Sequence, residues 1–304
     1  MELQSIHALL RAMLPSGLKV AGMKDNKAST TALGVSYIRA VHQKVDELPH
    51  ILEDPVSPLL LDQDTLQKIE REPEGHSSPQ ARALRSHVVL RSRYAEDRLF
   101  SSFQSGVRQY ISLGAGYDTF SCRQPEWARD LKIMEVDHPA TQSAKIAHFQ
   151  LKRIVFPENV EFLPLDLEKN TLWEALSHST IDFSLPTFVS CLGVLAYLKY
   201  ETVRSIFESI AGMPEGSSLV FAFALNRTET PESGGEQTST AQRAAAHGEP
   251  WLTRFELGGL RKELIDCGFR KVSFLQTSEA AEQYYIGRKD LPAPRKIRLC
   301  EAVV

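Results

Sequence analysis

Residues 110–120 read YISLGAGYDTF, and Gly114 and Gly116, with Ala115 between them, end an apolar run in a tight turn. A residue without Cβ takes positive φ at no steric cost and lets main-chain N–H groups approach a small molecule closely. Asp137 ends the next apolar run, LKIMEVD, about 20 residues after the turn, where an acid on a second strand meets ribose hydroxyls. A strand-end aspartate that only opens the His138-Pro139 turn is the competing reading. Asp166 ends a third run, VEFLPLD, and Leu167 follows it. There the acid suits an exocyclic amino group and the leucine a ring face. A dinucleotide fits the pattern poorly, because Asp118 stands where its third glycine belongs and the Walker lysine is absent. A nucleoside carried without phosphates fits better, and S-adenosylmethionine is its most economical form.

With that cofactor the reaction is an in-line displacement, in which the protein aligns donor and nucleophile and keeps water out. A carboxylate, with pKa ~4, is ionised at neutral pH and needs no base, whereas a phenol, with pKa ~10, or an alcohol does. The fourth apolar run, TFVSCLGVLAYL, carries Leu192 and Gly193 near the strand end and then Tyr197, with no evident base. Tyr197 either touches the substrate or methyl donor, or packs at the start of the next helix. These residues favour a carboxyl acceptor. His247, in AAAHGEPW, is the candidate base for a hydroxyl acceptor, against a solvated loop histidine. Trp251 and Phe255, in EPWLTRF, line an apolar substrate pocket or belong to the core.

These residues need elements to hold them. STTALGVSYIRAVHQKVDEL, residues 29–48, reads as a helix capped by Ser29 or Thr30. LEDPVSPLLLD reads as a proline-punctuated connection. Ser78-Pro79 opens a long helix that ends near Phe103 and carries Arg82, Arg85, Arg91, Arg93 and Arg98, mostly as a solvated face. Two helices therefore precede the first strand. From Arg108 the pattern alternates: QYISLG, LKIMEVD, VEFLPLD, TFVSCLG and SLVFAFAL as strands, with helix-length stretches such as HPATQSAKIAHFQLKR and YETVRSIFESIAGM between them. That alternation predicts a parallel sheet covered on both faces. FRKVSFLQ and RKIRLCEAVV, separated by a loop without a helix signal, predict an antiparallel edge hairpin. The expected architecture is an α/β, Rossmann-like, seven-stranded sheet with its last strand antiparallel. A helical cap is expected over residues 1–107 and a cofactor-binding core over 108–304. TETPESGGEQTST, residues 228–240, lacks an apolar period and reads as a surface loop or a mobile lid within 228–250.

Composition sets the limits. The 304 residues, 42% hydrophobic, suffice for a large core. A net charge of -3 gives no reason to expect nucleic acid or an anionic membrane as partner. Apolar runs such as SLVFAFAL fall short of the ~20 residues of a membrane helix, and MELQSIHALLRAML, broken by His7 and Arg11, makes a poor signal peptide. Cys122, Cys191, Cys267 and Cys300 show no metal spacing, which suits reduced thiols in a cytoplasmic protein without a metal.

KASTTALGVSYIRAVH, RSRYAED, LGAGYDT, EVDHPATQ, PLDL, CLGVLAYL and GEPWLTRF, in that order from about Lys27 onward, resemble the leucine carboxyl methyltransferase-like group of S-adenosylmethionine-dependent enzymes. The resemblance implies a class I methyltransferase fold. It implies that Lys27 and Arg91 reach the methionine carboxylate of the cofactor. It places Gly114 and Gly116 at the cofactor's backbone turn, Asp137 on the ribose, and Asp166 with Leu167 at the adenine. Two departures stand out. Many members have an arginine where Phe120 stands, although Arg123 follows. Several have a glutamate, holding the cofactor's ammonium, where Leu192 stands, which leaves that task to a backbone carbonyl. The expected activity is O-methylation of a small-molecule, secondary-metabolite acid to its methyl ester. A peptide or protein C-terminus or a hydroxyl group is the alternative acceptor. A binding protein that transfers nothing and a nicotinamide oxidoreductase are the rivals from other classes.

Overall fold

The computed structural model describes residues 30–226 and 252–304. Lys27, His247, Trp251 and the 228–250 segment lie outside the described residues. Seven strands form one sheet in the order β3-β2-β1-β4-β5-β7-β6. They are β1 Gln109–Leu113, β2 Lys132–Asp137, β3 Val160–Pro164, β4 Thr187–Cys191, β5 Ser218–Ala222, β6 Lys271–Phe274 and β7 Leu299–Val303. Strands β1 to β5 pair in parallel, and β7 runs antiparallel to both neighbours.

The expected closing hairpin takes a different form. Strand β7 inserts between β5 and β6, so β6 holds the edge. The connection expected to lack a helix contains Thr277–Tyr284, whose Ala280 is fully buried. One strongly buried position in eight residues leaves almost no period in the sequence. A second difference lies upstream. Three α-helices precede β1 among the described residues: α1 Thr30–Val45, α2 Gln63–Arg71 and α3 Pro79–Gln104. Helix α2 follows the proline-punctuated stretch directly. The Asp62 carboxylate caps it, accepting from Thr65 N–H at 2.8 Å, and only Thr65 and Ile69 are buried. Ser78 caps α3 as expected, accepting from Ala81 N–H at 3.1 Å. After β2 come α4 Pro139–Leu151, α5 Leu172–Ser177, α6 Tyr200–Ala211, α7 Leu257–Cys267 and α8 Thr277–Tyr284.

Strands β1, β4 and β5 are buried along their whole length, as expected of strands covered on both faces. Alternate residues serve two cores. Ile111, Val189 and Phe221 meet Phe207 of α6 and Leu264 of α7 on one face. Tyr110, Phe188 and Val220 meet Val89, Tyr94 and Leu99 of α3 on the other. The cap helices are tied in by smaller clusters. Ile38 of α1 packs on Leu84 and Val88 of α3, and Leu33 packs with Tyr117 and with Phe149 of α4. Helix α1 thus sits against the segment after β1 and against α4, while α3 covers a face of the sheet. Arg85, expected on a solvated face of α3, is instead 2% exposed. Its guanidinium donates to both Asp46 oxygens at 2.6 Å, locking α3 to the end of α1. None of the helices among the described residues is long and apolar enough to cross a membrane.

Candidate active site

The sheet order reverses between β1 and β4, and ligands of open parallel sheets bind beyond the carboxyl ends of the strands at that switch point. A cavity of about 390 Å³ opens there. It is lined by the turns after β1, β2, β4 and β5, by one face of α1 and by the middle of α3. The turn after β1 is shaped by its glycines. Gly114 and Gly116 have φ of 70° and 51°. A Cβ on Gly114 would lie 2.1 Å from Cγ2 of Val194, and one on Gly116 would lie 3.0 Å from Cβ of Ala32. Gly193, at φ 79°, gives Arg91 its place: Nη1 of Arg91 is 2.6 Å from where a Cβ would be.

Asp137 fixes the turn from the neighbouring strand. Its carboxylate accepts Gly116 N–H at 2.5 Å and His138 N–H at 2.6 Å. Burial raises its pKa, opposed by those two hydrogen bonds. Each oxygen keeps a lone pair for a ligand hydroxyl. Two residues earlier on β2, Glu135 is buried in the core. It is 2% exposed, and it accepts from Lys145 of α4 at 2.6 Å and from Ser121 at 2.6 Å. This buried pair ties the segment after the glycine turn to β2 and α4.

Asp118, in the position of a dinucleotide fold's third glycine, anchors the cap. It accepts from Arg39 of α1 at 2.6 Å and from Phe120 N–H at 2.7 Å. Although burial opposes it, Arg39 and Arg123 hold this carboxyl well below the usual range. Arg123 grips Glu96 of α3 with two hydrogen bonds and lies over the Phe120 ring at 5.8 Å. Asp54 sits between Arg39 and Arg123, at 3.7 and 3.6 Å. Phe120 lines the cavity, while Arg123 stands behind it, holding Glu96, which does line the wall.

The cavity gathers Arg91, Gly114, Ala115, Gly116, Asp137, Leu192 and Tyr197. Burial, and then the nearby Arg39 charge, lower the Arg91 pKa to about 10. Its Nε is buried without a hydrogen-bond partner among the described residues. Asp166 does not reach the wall. It pairs with Lys169 at 2.8 Å and lies 3.8 Å from His138, which does line the cavity, so it stands just behind the β2 rim. Leu167 is partly buried and packs against the larger core. Phe255 takes the core reading rather than the pocket one. It is 5% exposed, its N–H donates to the Ala224 carbonyl at 2.8 Å, and its ring centroid lies 6.4 Å from that of Phe207. Arg93 points elsewhere and pairs with Asp97 at 2.9 Å. Reading by sequence missed Arg39, Glu96 and His87, all in the wall. The available signal was helical spacing: His87, Arg91 and Ala95 recur every four residues along α3.

A family model for leucine carboxyl methyltransferase matches residues 32–211. A Bacillus subtilis (strain 168) protein, provisionally named an S-adenosyl-L-methionine-dependent methyltransferase and designated YktD, is 28% identical over 88% of this chain and 95% of its own. A solved structure from Thermobifida fusca YX, provisionally described as a methyltransferase, superposes with TM-score 0.52 at 18% identity, covering 81% of this chain and 91% of that one. A DUF574 family protein from Streptomyces avermitilis superposes with TM-score 0.50 at 14% identity over 88% of this chain and 95% of that one. These two structures share the fold. The match to more than half of the sequence identifies the family: the chain belongs to the leucine carboxyl methyltransferase family of S-adenosylmethionine-dependent methyltransferases.

Proposed function

We propose that the protein transfers a methyl group from S-adenosylmethionine to the carboxylate of a small-molecule acid, giving a methyl ester. The wall suits the cofactor. Asp137 offers oxygens to ribose hydroxyls, the Gly114–Gly116 turn admits main chain to close approach, and the unpartnered Arg91 Nε awaits an acceptor such as the methionine carboxylate. When bound, the cofactor supplies a methyl group already activated on a sulfonium. The residues of the chain hold and align it, keep water out, and need not remove a proton from a carboxylate.

One observation supports the choice of acceptor: neither His87 nor Tyr110, both in the described cavity wall, is a competent base. His87 is pushed down to about 3, first by burial and then by Arg91 and Arg298, some four units below the pH at which a base would serve a phenol. Tyr110, which shares a hydrogen bond of 2.9 Å with Ser190, is pushed above the ordinary phenol range. His138 stands at the β2 rim, beside Asp166. The test is incubation with methyl-labelled S-adenosylmethionine and a panel of aliphatic and aromatic acids beside matched phenols and alcohols. Expected is S-adenosylhomocysteine in step with a product that mild alkali hydrolyses. An alkali-stable product made at a rate that climbs through neutral pH would instead establish a hydroxyl acceptor.

A further inference from the structure

His87 lines the cavity, and the charges that act on it are those of Arg91 and Arg298. It lies four residues before Arg91 on α3, so the two side chains share one helix face about 6 Å apart along the axis. The turn after β5 faces them: Phe223 and Ala224 belong to the same wall. Phe223 N–H donates to the Arg298 carbonyl at 3.1 Å, which brings the residue before β7 into this corner. Sheet order sets the two ends of the cavity apart. Asp137 and the glycine turn stand after β2 and β1, Leu192 and Gly193 stand after β4 in the middle, and the His87 corner stands over β5.

We propose, building on the carboxyl methyl transfer argued above, that the β5 corner is the acceptor subsite and that His87 contacts the acceptor. Its ring N–H donates to one carboxylate oxygen while the other oxygen attacks the methyl group. The new O–CH3 bond forms as the S–CH3 bond breaks, the electron pair stays on sulfur, and no proton changes hands. A neutral imidazole is therefore sufficient as a donor, and it is unchanged by turnover. Two features select the ligand class. The Arg91 and Arg298 charges disfavour a cation at His87, and the same field attracts an anion. Ala222, Phe223 and Ala224 give the rest of the corner an apolar surface. The acceptor is thus an acid with an uncharged, apolar body next to its carboxylate.

The test uses the full chain with 15N-labelled histidine, saturated with S-adenosylhomocysteine and titrated with millimolar benzoate or, separately, benzamide. His87 ring signals are assigned by their loss in His87→Asn. Benzoate should move those signals and benzamide should not. Calorimetry should give unchanged S-adenosylhomocysteine affinity in His87→Ala and His87→Asn. Benzoate affinity should fall about tenfold or more in His87→Ala, the loss expected for a hydrogen bond to a charged group, and less in His87→Asn, whose amide still donates. Where His87→Ala does not fold, the Asn variant and the ring signals decide alone. Benzoate that leaves the His87 signals unmoved, whether it binds elsewhere or not at all, overturns the proposal. Failure of S-adenosylhomocysteine to bind the unaltered protein overturns the functional reading beneath it.

Discussion

Gly114→Ala tests the construction of the site directly. Two costs add. The backbone at φ 70° is one that an L side chain adopts at about 1–2 kcal/mol. The new methyl would also lie 2.1 Å from Cγ2 of Val194, so Val194 or the turn must move, and overpacking of this kind costs about 1–3 kcal/mol. Together the variant should lose about 2–5 kcal/mol of unfolding free energy in urea titration. Val194→Ala removes the clashing atom but leaves the φ cost. A double-mutant cycle of Gly114→Ala with Val194→Ala should therefore show a coupling of about 1–3 kcal/mol, with the double variant more stable than additivity predicts. Affinity for S-adenosylhomocysteine, measured by calorimetry, should fall in Gly114→Ala, because the displaced turn is the one that meets the cofactor. Additivity within about 0.5 kcal/mol refutes the packing argument. Unchanged affinity in a folded Gly114→Ala removes the turn from the cofactor site.

Other expectations concern single groups. Asp137→Ala should weaken cofactor binding by about 1.5–3 kcal/mol, the range for hydrogen bonds to a charged group, and unaltered calorimetric affinity takes Asp137 out of the pocket. Phe255→Ala should cost about 3–5 kcal/mol of stability as a core truncation and leave the acceptor Michaelis constant alone; a changed constant with stability intact would return Phe255 to the substrate pocket. Arg85→Ala should destabilise by about 3–5 kcal/mol, since it strands the buried Asp46 carboxylate, and a melting temperature near that of the unaltered protein contradicts this. Stability should also fall from pH 7 to pH 5. Burial lowers the pKa of His42, His76, His87 and His148 in the folded state, so the unfolded chain binds more protons below its own value of about 6.5. His87 alone, held at about 3, accounts for up to about 2 kcal/mol of that loss by pH 5, and His87→Asn should flatten the slope by close to one proton.

Much of this protein is legible along the chain. The alternation of apolar runs with amphipathic stretches gave the parallel sheet, because a strand buried on both faces is apolar throughout and its crossover helix repeats every 3.6 residues. The glycine turn and Asp137 declare themselves through local conformation and the fixed length of one strand-turn-helix-strand unit. Ser78-Pro79 marks a helix start for equally local reasons. None of these needs distant contacts.

Tertiary structure decided the rest. Whether Phe255 lines a pocket or fills the core depends on where the backbone beside Leu225 brings its ring, and the answer is the core, near Phe207. Asp166 and Leu167 stand at the expected strand end, where Asp166 pairs with Lys169 and Leu167 is partly buried against the larger core. Arg85 and Arg91 look alike on one arginine-rich helix. Asp46, just past the end of α1, makes the first a buried strut, while the open cavity leaves the Nε of the second unpartnered among the described residues. His87 becomes part of the wall only because β5 and β7 bring Phe223 and Arg298 to the same corner. The division has a physical cause. Backbone conformation and periodicity are set by neighbours in sequence, whereas burial, charge and direction of a side chain are set largely by residues remote in sequence, placed by the packing of helices on the sheet and the order of its strands.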